Sequence, residues 1–133
     1  MTRRLTLVCA ALAVLFLSVP LRAHHSFGAE YDASKPITLT GVITKTEWTN
    51  PHSHFYLDVT DEKGTVVNWK LEGYNPAVLY RIGWKKDLML KPGDKVTVTY
   101  RPLRDGAKGG MFVSTKAPDG KLLSMQGGSN PEP

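Results

Sequence analysis

The four histidines of this chain fall into two tight pairs, His24-His25 and His52-Ser53-His54. Neutral imidazole is a common ligand for copper and zinc, and two rings within reach of one ion chelate it. In an extended chain, positions 52 and 54 point to the same side with their backbones roughly 6.6 Å apart, close enough for both rings to meet one ion. A cut after Ala23 places His24 at a new N-terminus, where the terminal amine and the adjacent ring form a second chelate. Amine, His24 ring and strand imidazoles together give three or four nitrogens. That set suits Cu(II) best and Zn(II) next. Pro51 stiffens the approach to His52.

Other chemistries are poorly supplied. Ser53 sits between two histidines, but strand alternation turns it to the opposite face, so no nucleophile and base are paired. The chain holds no Gly-x-Ser-x-Gly, no phosphate loop and no His-Glu-x-x-His. Cys9 is the only cysteine, and it lies in the N-terminal apolar run, so the remainder has neither disulfide nor thiolate site. Met89, Met111 and Met125 are scattered in sequence. Trp48, Tyr56 and Trp84 are the aromatics placed to line a shallow ligand groove, with Trp69 assigned to the core by its parity with Val67 and Leu71.

The elements that must position these residues begin after a leader. Arg3 and Arg4 precede a 15-residue apolar run at 5–19, short of the about 20 residues a spanning helix needs. Residues 1–23 therefore read as a signal peptide, with export to the periplasm or beyond and no membrane span afterwards. Removing 23 of the 133 residues leaves 110, enough for one domain, and changes the charge to 14 basic against 12 acidic residues. So near a balance does not point to nucleic acid.

Residues 24–36 lack a sustained period and read as an extended arm that Phe27 and Tyr31 pin to the domain. Strands are expected at 37–48, 54–60, 66–71, 95–101, 111–117 and 121–123. Gly41 inside the first suggests a bulge or bend. In the second, Phe55, Leu57 and Val59 alternate with His54, Tyr56 and Asp58, which puts the histidine face outside. Asp61-Glu62-Lys63-Gly64 reads as a hairpin turn. Asn75 caps a short helix with Pro76 in its first turn, and Gly83 stops it. Three strands, a helix, then two or three strands match a small OB-like, five- to six-stranded antiparallel Greek-key barrel with the helix between strands 3 and 4. The domain spans 37–124, and 125–133 is a Gly/Pro-rich tail expected to be disordered.

His24-His25-Ser26-Phe27 and Trp48-Thr49-Asn50-Pro51-His52, with Glu30-Tyr31-Asp32 and Phe55-Tyr56-Leu57-Asp58-Val59, resemble a family of small exported bacterial proteins classed as a domain of unknown function. The resemblance implies an exported single domain and brings no chemistry with it. The expectation is a non-catalytic binding protein, with a transition metal at His24, His25, His52 and His54, copper favoured. The alternative is a barrel that binds a saccharide, peptide or protein along Trp48, Tyr56 and Trp84 without metal.

Overall fold

The computed structural model describes residues 27–86 and 88–125; the leader, His24, His25 and the tail beyond Met125 lie outside them. A single helical turn, α1 (Phe27–Glu30), comes first. Three strands follow: β1 (Ile37–Glu47), β2 (His54–Thr60) and β3 (Val66–Glu72). The helix α2 (Pro76–Arg81) precedes β4 (Lys95–Pro102), β5 (Gly109–Lys116) and β6 (Leu122–Ser124). The arm is thus helical at Phe27–Glu30, not extended throughout.

β1 is long enough to serve two partners. Its first half, Ile37 to Val42, pairs with β4, and its second half, Val42 to Glu47, pairs with β2. Gly41 stands at this hand-over. A Cβ there would lie 2.8 Å from the Asp58 carbonyl oxygen, so the close crossing needs glycine. The bulge itself falls later, at Thr44, between Ile43 and Lys45. β2 and β3 form a regular hairpin about the Asp61–Gly64 turn, where Gly64 has φ 82° and the Asp61 carboxylate accepts from the Lys63 and Thr65 amides.

The sheet runs β3-β2-β1-β4-β5-β6 and closes through β3 and β5. That closing pair, Lys70–Glu72 against Gly109–Met111, is parallel, which corrects the all-antiparallel expectation. The reason is arithmetic. Five strands in a ring cannot alternate direction all the way round, so one neighbouring pair must run the same way. β6 continues the sheet beyond β5 as an extra strand.

The inward positions follow the alternation of the sequence. Phe55 and Leu57 of β2, Leu71 of β3, Val98 and Tyr100 of β4 and Phe112 of β5 are buried. Phe112 meets Phe55 at 5.1 Å and Trp84 at 5.5 Å between ring centroids. α2 packs on this core through Leu79. The Asn75 side chain caps it by accepting from the Val78 amide at 3.0 Å, and Gly83 with φ 93° turns the chain out. Met125, assigned to the tail by sequence, is a core residue instead. It is 3% exposed, and its amide donates to the Val113 carbonyl at 2.9 Å.

Candidate functional site

His52 and His54 stand at the end of the barrel where β1 turns into β2. The Asn50–Pro51 peptide bond is cis. The Thr49 hydroxyl donates to the His52 carbonyl at 3.1 Å, and Ser53 pairs with both Gly73 and Tyr74 through its backbone. β2 begins at His54, so His52 lies just ahead of the strand, yet the pairing through Ser53 continues the alternation. Ser53 turns inward and is fully buried, as expected, which leaves both imidazoles on the outer side.

Strand register builds a polar row there. His54 lies opposite Glu47 of β1 and opposite Glu72 of β3. His52 Nδ1 is ion-paired with Glu72 Oε1, and the other oxygen, Oε2, accepts from the Tyr31 hydroxyl at 2.9 Å. Glu47 is held by its own neighbours. Tyr56 donates to its Oε2 at 2.7 Å, and Lys45 donates to its Oε1 while lying over the Tyr56 ring. These bonds hold the Glu47 carboxyl below the usual range, Lys45 first and Tyr56 second. Asp58 accepts from Asn68, away from the histidines.

Burial, followed by the Lys70 charge, lowers the His54 pKa; Glu72 and Glu47 pull it the other way and do not prevail. The balance favours the neutral imidazole, the form that binds metal. For Tyr31, burial and then the Glu72 bond push the hydroxyl well above the usual phenol range, so it stays a donor.

Tyr31 is the anchor of the N-terminal arm. It is 3% exposed and forms a bridge with Leu103. The Asp32 amide donates to the Pro102 carbonyl at 2.9 Å and the Arg104 amide to the Glu30 carbonyl at 3.0 Å. Arg104 Nε also donates to the Gly28 carbonyl. The arm is strapped to the β4–β5 turn, with its Tyr31 hydroxyl on the carboxylate that pairs with His52.

Of the seven residues singled out by sequence, the structure brings together His52, His54 and, two residues further along β2, Tyr56. His24 and His25 lie outside the described residues. Among the described residues no three His, Cys, Asp or Glu side chains form a group that could hold an ion, so the barrel offers two imidazoles. The expected groove residues differ in burial and in partners. Trp84 is 3% exposed inside the core and donates to the Ser124 carbonyl, Trp48 stacks on Tyr80 of α2, and Tyr56 faces outward. Sequence reasoning foresaw Tyr31 as a pin of the arm but missed Glu72 and the Tyr31 hydroxyl bond to it. Glu72 had a signal: a hairpin that pairs Thr60 with Val66 brings His54 onto Glu72 six residues further back. The contact between Tyr31 and Glu72 had none, because the two lie 41 residues apart.

No curated protein and no solved structure matches the chain. A family model does, over residues 11–113, a stretch that takes in both histidine pairs, Tyr31 and Glu72. The chain therefore belongs to the family of unknown function DUF6152.

Proposed function

We propose that this is an exported, non-catalytic binding protein that takes a transition-metal ion, Cu(II) ahead of Zn(II), at His52 and His54 with His24 and His25 completing the site. The observation that supports this reading is the double use of Glu72, which pairs with His52 through one oxygen and holds the arm through the other. A carboxylate behind an imidazole fixes its tautomer and raises its basicity, the usual second contact of a metal-binding histidine. With Nδ1 turned to Glu72, the ion is taken at Nε2.

The same carboxylate holds Tyr31, six residues after His25. Six residue steps from Tyr31 back to His25 can span at most about 20 Å. In OB barrels, ligands bind along the face of strands 2 and 3 and at the loop between strands 1 and 2. His52 and His54 occupy that position here.

Calorimetric titration of Cu(II) and Zn(II) into the chain beginning at His24 tests this. One-to-one binding below micromolar is expected, lost in His52→Ala and when residues precede His24. Absence of binding, or weak binding indifferent to both changes, ends the metal reading.

A further inference from the structure

The segment after α2 carries the basic excess of the domain. Arg81, Lys85, Lys86 and Lys91 fall within eleven residues, with Asp87 as the only acid of the stretch. From His24 onward the chain has 14 basic and 12 acidic residues, so these four account for the excess and the remainder holds one more acid than base. Among the described residues none of the four is ion-paired with a carboxylate.

Exposed apolar groups share this ground. Leu88 is 69% exposed and Tyr80 54%, two of the few large hydrophobic side chains left outside the core. Their exposure follows from how the segment is tethered. Trp84 and Leu90 are both buried, so the turn between them is fixed at its two ends, and the Leu88 amide donates to the Lys85 carbonyl across it. Lys85, Lys86 and Leu88 are thrown outward together. On α2, Ala77, Tyr80 and Arg81 form the exposed stripe at helical spacing, and Trp48 stacks on Tyr80 at 5.3 Å.

We infer that this surface is a peripheral docking site for an anionic phospholipid membrane. A leucine at the tip of a tethered turn enters the boundary of the acyl region, while lysines and arginine around it meet lipid phosphates. Tyrosine suits the same interface, its ring apolar and its hydroxyl wet. An acidic protein partner would match the cations but leave the outlying Leu88 unexplained, so charge and apolar tip together favour the membrane. This inference is independent of the metal site, which lies on the outer face of β2.

Vesicle co-sedimentation of the chain from His24 onward tests it. That chain keeps every residue of the barrel, its core and its arm. Vesicles of phosphatidylglycerol and phosphatidylcholine in equal parts should retain the protein, and those of phosphatidylcholine alone should not. Retention should fall as salt is raised. Lys85→Ala with Lys86→Ala should weaken partitioning on the order of 25-fold, about fivefold per cation. Leu88→Ser should weaken it roughly tenfold. Both variants change exposed side chains, and thermal unfolding checks that they stay folded. No retention on the anionic vesicles overturns the inference, and so does a loss confined to only one of the two variants.

Discussion

His54 stands between two carboxylates and still holds a proton less readily than a free imidazole, because burial and Lys70 outweigh them. The consequence for stability has a definite sign. A folded pKa below the ordinary 6.5 means the unfolded chain binds the proton more readily, so the stabilisation is complete above 6.5 and is lost as pH falls through the folded value. Urea midpoints should drop on acidification, and His54→Gln should remove part of that drop; equal slopes for the two proteins would contradict it. Ser53 gives the opposite kind of test. Its Oγ is buried and finds no hydrogen-bond partner among the described residues. An unsatisfied hydroxyl costs more than the methyl that replaces it, so Ser53→Ala should raise stability by about 1 kcal/mol. A loss on urea unfolding would show that the hydroxyl has a partner. Because Ser53 faces inward, the substitution leaves both neighbouring imidazoles in place.

At the scale of elements, the arm and the barrel closure rest on few contacts. Tyr31→Phe removes one hydroxyl from Glu72 and leaves the ring packed. A hydrogen bond to a charged acceptor contributes about 2 kcal/mol. Exchange at the Asp32 and Arg104 amides, which bond across the strap, should quicken, whereas amides of the β2–β3 hairpin should not. Uniform quickening would mean that the arm is part of the global unit. Closure depends on Gly109, where a Cβ would come 2.6 Å from the Lys70 carbonyl oxygen of β3. Backbone cannot yield as a side-chain tip does. Gly109→Ala should cost about 3 kcal/mol in urea unfolding, and a neutral result would refute the tight approach of β3 to β5. These two cases also mark how far the sequence is legible. Alternation in β2 and the Asp61–Gly64 turn are local signals, and they place Phe55, Leu57 and His54 on their correct faces. The cap at Asn75 is local too. The parallel β3–β5 contact, the bulge at Thr44 and the burial of Met125 arise between segments distant in sequence, and no short pattern encodes them. The same holds for the site: the histidines are visible in the sequence, but the carboxylate joining them to the arm comes from β3 and the hydroxyl from residue 31.

At the scale of the molecule, one core serves every surface. Phe55 points inward from the strand that shows His54 and Tyr56 outward, and it meets Phe112 of β5 and Trp84 behind α2. Trp84 in turn donates to Ser124 of β6, so the helix segment, the ring of strands and the extra strand are joined through three aromatic side chains. The barrel, the segment after α2 and β6 should therefore unfold as one unit. Phe112→Ala tests this, because it removes the ring that touches both other aromatics and leaves a cavity at the centre. Large-to-small substitution at such a position costs about 3–5 kcal/mol. With Trp48 and Trp69 replaced by Phe in both proteins, tryptophan fluorescence follows the Trp84 end and far-ultraviolet circular dichroism follows the strands. In both the parent chain and Phe112→Ala, the two signals should change together, with the midpoint displaced equally in each. A fluorescence transition that shifts while the strand signal does not would separate the α2 end from the barrel. In that case His52 and His54 would sit on a scaffold whose stability owes little to Trp84.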